Sequence, residues 1–263
     1  MTAFPPFRDM SKLRILLSND DGIYAHGLAV LERIARTLTD DVWVVAPTQE
    51  RSGAGHSLTI HEPLRPIEKG DRRYAVSGTP TDCVMVAINH IMRDNPPDLV
   101  LSGINHGANL GEDVHYSGTV AAAMEGVLLG VPAIALSQVW SDVDNIPWNT
   151  AEHWAPDIIR KVCAVGWGKN VLMNINFPDC AAEAVKGVTP AAQGKHKLGD
   201  DLILRHDPRG RPYLWIGTRR ASDLVDGTDL KMVADGYVTV TPLNVDLTHA
   251  PTMAALGQVF PAA

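Results

Sequence analysis

Cysteine is scarce: the 263-residue chain holds only 3, at Cys83, Cys163 and Cys180, and no Cys-x-x-Cys pair exists. That excludes a disulfide framework and a thiolate zinc site, and it suits a reducing cytoplasm, the compartment expected here. Long apolar runs are missing as well. No stretch approaches the roughly 18 apolar residues of a membrane-spanning helix, so no membrane partner is expected. Met1–Met10 lacks the basic-then-apolar order of a secretory leader. Basic residues are outnumbered, 23 Lys and Arg against 30 Asp and Glu for a net charge of −7, which argues against DNA as a partner. No His-x-x-x-His or His-Glu-x-x-His pair speaks for zinc. No Gly-Lys-Ser/Thr marks a P-loop, and no Gly-x-Gly-x-x-Gly follows the first apolar run.

What is present reads as α/β. With 45% hydrophobic and 20% charged residues the composition is that of an ordinary globular protein. Short apolar runs at Leu13–Leu17, Val42–Ala46, Tyr74–Ser77, Asp98–Leu101, Ala133–Leu136 and Asn170–Asn174 predict strands. Between them lie helical patterns, among them Ala25–Leu38, a start at Thr79-Pro80-Thr81-Asp82, Val120–Leu129 and Ala151–Val165. Strands alternating with helices predict a Rossmann-like, mostly parallel sheet with helices on both faces. After Phe177-Pro178 the pattern changes. Leu202–His206, Asp207-Pro208-Arg209-Gly210 and Arg211–Ile216 predict a β-hairpin arm. A strand over Asp235–Pro242 and a short helix over Met253–Val259 follow. The division expected is a catalytic core over 1–184 and a C-terminal unit over 185–263 that holds subunits together.

The polar residues gather where strands end. Leu13–Leu17 stops on Ser18-Asn19-Asp20-Asp21-Gly22, and Gly22 permits the turn that lets both carboxylates reach one site. Ser52 lies in the loop Thr48–Ser57, Ser77-Gly78-Thr79 follows a strand, and Asn105 lies in the long loop Ser102–Tyr116. In an open parallel sheet these ends face one crevice. Paired carboxylates repel unless a cation sits between them. Two carboxylates, an amide oxygen and a hydroxyl suit one Mg²⁺ or Mn²⁺. The plain alternative is that Asp20 or Asp21 only caps the next helix. Ser117-Gly118-Thr119 opens a helix, where free N–H groups and hydroxyls hold an anion such as phosphate, and Asn109 is grouped with them. His56, His106 and His115 are candidates for a proton donor, against the plainer reading of loop histidines on the surface. Asp82 reads as a helix-start charge, Cys83 as core, and Asp229 and Asp246 as structural. Arg205, Arg209, Arg211, Arg219 and Arg220 form the basic part of the chain.

These blocks carry a family resemblance. Asn19-Asp20-Asp21-Gly22, Ser52-Gly53, Gly78-Thr79-Pro80-Thr81-Asp82-Cys83, Ser102-Gly103-Ile104-Asn105-His106-Gly107-Ala108-Asn109, Tyr116-Ser117-Gly118-Thr119-Val120 and Tyr237-Val238-Thr239-Val240-Thr241-Pro242 resemble those of the SurE family, in order along nearly the whole chain. The resemblance implies a metal-dependent phosphomonoesterase acting on nucleoside 5′-monophosphates, with 3′-nucleotides and short polyphosphate as further substrates. It implies one divalent ion per subunit, held by Asp20, Asp21, Ser52 and Asn105, and a homodimer or homotetramer joined through the C-terminal arm. Asp20 or Asp21 is then the base for the attacking water, or Asp20 a nucleophile that is itself phosphorylated. The rival class is a nucleotide- or phosphate-sensing module without turnover.

Overall fold

A computed structural model describes residues 3–197, 202–216 and 221–260. Its centre is a nine-stranded sheet. The strands are β1 (Ile15–Ser18), β2 (Val42–Pro47), β3 (Pro66–Gly70), β4 (Arg73–Val76), β5 (Leu99–His106), β6 (Ala133–Gln138), β7 (Val171–Phe177), β8 (Val188–Pro190) and β9 (Val238–Asn244). Across the sheet they run β8-β9-β7-β6-β5-β1-β2-β4-β3. From β7 to β4 every neighbouring pair is parallel. The antiparallel pairings β9–β7 and β3–β4 flank that block. The helices are α1 (His26–Arg36), α2 (Pro80–Val86), α3 (Gly118–Leu128), α4 (Trp148–Val165), α5 (Asp229–Ala234) and α6 (Ala250–Val259).

The two faces of the sheet bury separate cores. One packs Ile15, Leu17, Leu99 and Leu101 against Leu28, Leu31 and Ile34 of α1 and Ile158 and Ile159 of α4. The other packs Leu16, Val45 and Val100 against Val84 of α2 and Val120, Ala123 and Val127 of α3. Alternating residues of one strand thus serve opposite faces, as the two-residue period of a strand requires. α3 lies close to the sheet because Gly126 leaves room for Val100, whose Cγ2 a Cβ would meet at 3.0 Å.

The connection order reverses at β1. It pairs with β2 on one side and β5 on the other, with Ser18 beside Ser102. Helices cannot cover the gap outside the carboxyl ends of two such strands, so a crevice opens there.

Several expectations shift on inspection. The segment Ser102–Tyr116 is not one loop: β5 runs on to His106, and a 3₁₀ turn occupies Gly111–His115. β5 outruns its apolar segment because Asn105 and His106 still pair with Ser137 and Gln138 of β6. β3 is an additional strand, wholly exposed and therefore without an apolar signal. α5 is an additional short helix, capped by Thr228. The hairpin pairs Leu202–His206 with Pro212–Ile216 around the Pro/Gly turn, as expected. Arg219 and Arg220 lie outside the described residues. No helix among the described residues is long and apolar enough to cross a membrane.

Candidate functional site

The crevice at the β1–β5 reversal holds an open cavity of about 190 Å³ lined by Asp20, Ser52, Asn105, Asn109 and Ser117, with His106, Asp113 and Tyr116 among its other walls. Six of the residues singled out in the sequence, His106 among them, therefore share one space. Local geometry explains how each arrives there. Asn19 bridges the turn after β1: its Oδ1 accepts the Gly22 N–H at 3.2 Å and its Nδ2 donates to the Gly22 carbonyl at 3.0 Å. Gly22 takes φ +101°, a conformation that favours glycine. The Arg51 N–H donates to the Asp20 carbonyl at 2.8 Å, and the Gly55 N–H to the Tyr116 carbonyl at 3.1 Å. These two bonds stretch the Ser52-Gly53 loop across the mouth between Asp20 and Tyr116.

Asp20 is buried against the start of α3. The Thr119 hydroxyl donates to its Oδ1 at 2.5 Å. A Cβ on Gly118 would stand 2.6 Å from the Asp20 Cβ and 2.9 Å from its Oδ2, so only glycine allows this approach. Asp21 turns the other way and accepts the His106 N–H at 3.2 Å, which ties the acidic turn to the end of β5. Asp21, Gly118 and Thr119 are thus partners of the cavity walls rather than walls themselves. Burial, then the negative charge of Asp21, pushes the Asp20 carboxyl up to about 6. Burial also raises Asp21, and Glu50 adds to both. Neither aspartate has a salt bridge to a Lys or Arg among the described residues.

Asn105 donates its Nδ2 to the Gly107 carbonyl at 3.0 Å, which leaves its Oδ1 unengaged. Ser52 is exposed and donates to Glu50 Oε1 at 2.9 Å, leaving its oxygen able to accept. Hard oxygens from Asp20, Asp21, Asn105 and Ser52 with an uncompensated negative charge are the donor chemistry of Mg²⁺ or Mn²⁺ rather than of zinc. Among the described residues no group of three or more His, Cys, Asp or Glu side chains could hold a metal ion. The donors here include only two carboxylates and are completed by neutral oxygens.

Asn109 is held by a buried amide network. Its N–H donates to Asn176 Oδ1 at 2.9 Å, and its carbonyl accepts from Asn174 and Asn176 at 2.8 and 3.0 Å. Its Nδ2 gives one of two hydrogens to Ser137 at 2.8 Å. Ser117 caps α3 by accepting the Val120 N–H at 3.0 Å, so its own hydroxyl hydrogen remains available. The next N–H groups of the helix, on Gly118 and Thr119, have no partner inside it.

The 3₁₀ turn that precedes this cradle is anchored to the root of the hairpin arm. Asp113 Oδ2 lies 2.9 Å from His196 Nε2. The Gly111 and Gly194 N–H groups donate to the two oxygens of buried Asp229 at 3.0 and 2.8 Å. Asp229 is therefore structural, as its sequence position suggested. Asp246 only closes a local turn with Thr248. Asp113 and His196 went unmarked in the sequence, although Asp113 lies inside the segment Ser102–Tyr116, and Tyr116 stood there only as the first residue of a resembling block.

Other candidates fall elsewhere. His56 lies 2.9 Å from Glu125 and, with His115, lines a neighbouring, mostly apolar cavity along α3 that shares Ser117 with the crevice. Only His106 of the three histidines lines the crevice cavity. Ser77 and Thr79 do not line it. Ser77 accepts the Arg65 N–H, and Thr79 caps α2 in a capping box with Asp82. Cys83 is core, and burial pushes the Cys163 thiol up to about 12, so neither offers a thiolate.

A profile of the family described as Survival protein SurE matches residues 15–200. A protein named 5′-nucleotidase SurE from Paramagnetospirillum magneticum is 60% identical over 258 residues, 98% of this chain and 99% of that one. Its namesake from Rhodospirillum rubrum is 59% identical over 261 residues, 98% and 100% of the two chains. The crystal structure of the SurE protein from Aquifex aeolicus superposes with a TM-score of 0.81 at 40% identity, covering 94% of this chain and 99% of that one.

Proposed function

Since the chain belongs to the survival protein SurE family, we propose that it is a metal-dependent 5′-nucleotidase that hydrolyses nucleoside 5′-monophosphates to nucleoside and phosphate. One observation carries this reading: buried Asp20 lies directly against the start of α3 at the reversal point of the sheet, with half-buried Asp21 beside it and no salt bridge from either to a Lys or Arg among the described residues.

In this reading Asp20, Asp21, Ser52 and Asn105 hold one Mg²⁺ or Mn²⁺. When bound, such an ion supplies a Lewis acid for a phosphoryl oxygen and lowers the pKa of a water. The chain does the rest. The Ser117 hydroxyl, the Gly118 and Thr119 N–H groups and the Asn109 amide donate to the phosphate oxygens, with the positive end of the α3 dipole behind them. Asp20 or Asp21 takes the proton of the attacking water at a carboxylate oxygen as the bond from phosphorus to the 5′ oxygen breaks, and that proton passes on to the leaving nucleoside alkoxide. Donors fixed before the reaction stabilise charge that spreads over the transferring group. The test is release of inorganic phosphate from AMP and GMP with Mg²⁺ or Mn²⁺, against an EDTA control. Metal-dependent release is expected, and release from no nucleotide under any divalent ion would leave a phosphate-sensing module.

We also propose that the protein is a homodimer or homotetramer and resides in the cytoplasm. Leu204, Tyr213, Leu214, Trp215 and Ile216 of the hairpin are exposed, and α6 buries no residue. A two-stranded hairpin with apolar groups in water is marginal alone, so a second copy is the expected cover. Sedimentation should give a species of two or four times 28.4 kDa. A monomer at micromolar concentration would contradict it.

A further inference from the structure

Beside the phosphate cradle the crevice wall changes from hydroxyls and amides to rings. His106 is exposed and lines the same cavity as Asp20, Asn105, Asn109 and Ser117. Its imidazole lies 5.1 Å from the Trp140 ring at 34° and 6.5 Å from the Trp148 ring at 28°. Trp148 in turn sits 5.4 Å from His26. It is wedged at the start of α1, where a Cβ on Gly27 would meet its Cη2 at 3.2 Å. The shelf is therefore rigid from behind and open in front. Tyr116 also lines the cavity, but no ring backs it among the described residues.

We propose that His106, backed by Trp140 and Trp148, is the platform on which the nucleobase of the substrate stacks while its phosphate occupies the cradle at Asn109 and Ser117–Thr119. This rests on the nucleotidase reading and deepens it. Every base has a π-face, so a stacking platform favours nucleotides over base-free phosphate esters without choosing sharply among bases. The imidazole is free for this task, because only the backbone N–H of His106 is used to hold Asp21. Two ring partners fix its plane, so little side-chain entropy is lost when a base settles on it.

The experiment compares AMP with ribose 5-phosphate, which keeps the sugar and phosphate and lacks the base. Steady-state kinetics are measured with saturating Mg²⁺ or Mn²⁺ for the wild type, His106→Ala, His106→Phe and Trp140→Leu. In H106A the KM for AMP should rise about tenfold or more while that for ribose 5-phosphate stays within twofold. H106F should restore the AMP value, and W140L should fall between. Equal changes for both substrates, or no change for AMP, would overturn the platform. Should the wild type release no phosphate from AMP, the nucleotidase reading fails, and calorimetry of AMP binding decides the platform separately. Binding weakened in H106A and kept in H106F supports it, and binding equal in all variants, or absent in the wild type, overturns it.

Discussion

Asp20→Asn is expected to lower kcat/KM for AMP by about a thousandfold or more, while far-UV circular dichroism stays that of the wild type. The amide keeps the shape and still accepts the Thr119 hydroxyl, which donates to Asp20 Oδ1 at 2.5 Å. What it loses is the negative charge that, in the proposed reading, holds the dication, and an ion of this kind is worth several kcal/mol in the transition state. The same substitution should have the opposite effect on stability in chelator. Burial raises the folded Asp20 carboxyl to about 6 from an ordinary 3.8. The folded chain therefore binds this proton more tightly than the unfolded chain. Its contribution to stability is fully present below about pH 4 and is lost as the pH rises through 6. At pH 7 the ionised Asp20 then costs the metal-free fold up to roughly 3 kcal/mol. In EDTA at pH 7, D20N should melt several degrees above the wild type, with the gap closing near pH 4. A variant that keeps near-native turnover with saturating metal would remove Asp20 from the ligand set.

Gly118→Ala should cost about a hundredfold in kcat/KM for AMP, though it adds a single methyl group. The new Cβ would stand 2.6 Å from the Asp20 Cβ and 2.9 Å from Oδ2, with its Cγ at 3.0 Å. Neither the turn after β1 nor the first turn of α3 can flex away cheaply. Asn19 clamps the one through both amide atoms, and Ser117 caps the other. The two halves of the site must part, and displacements on the order of 1 Å commonly cost about 10² in rate. Overpacking should also lower stability by about 1–3 kcal/mol. Ala is otherwise a better helix former than Gly, so propensity alone predicts a more stable protein. Thermal melting separates the two. A variant that is both more stable and fully active would mean that Asp20 and α3 are not in contact.

The parallel core was legible because its strands are buried on both faces and read as short apolar runs, interrupted only by Arg14 in Leu13–Leu17 and unbroken in Val42–Ala46. The helix start at Thr79-Pro80-Thr81-Asp82 was legible because its chemistry is local, although Asp82, which closes a capping box, was read only as a helix-start charge. β3 was not, because its residues all face solvent and no burial pattern marks it. The end of β5 was missed because pairing with β6, not side-chain character, extends it through Asn105 and His106.

The candidate site divides in the same way. Asp20, Ser52, Asn105, Asn109 and Ser117 meet in one cavity because each follows or faces the carboxyl end of a parallel strand, a rule that acts on sequence order. Ser77 and Thr79 obey the same rule and yet are consumed by a turn and a cap one strand further out. The His106–Trp140–Trp148 shelf and the His196–Asp113 tie join residues far apart in the chain, and no spacing announces them.

The central claim is that Asp20, Asp21, Ser52 and Asn105 grip one hard dication beside an anion cradle. Anomalous diffraction from crystals grown with Mn²⁺ tests it most directly. The account predicts one strong peak per subunit at about 2.1–2.2 Å from oxygens of Asp20 and Asp21, with Asn105 and Ser52 in or one water beyond its shell. An empty crevice at millimolar Mn²⁺, or a sole peak at another place on the chain, would contradict it.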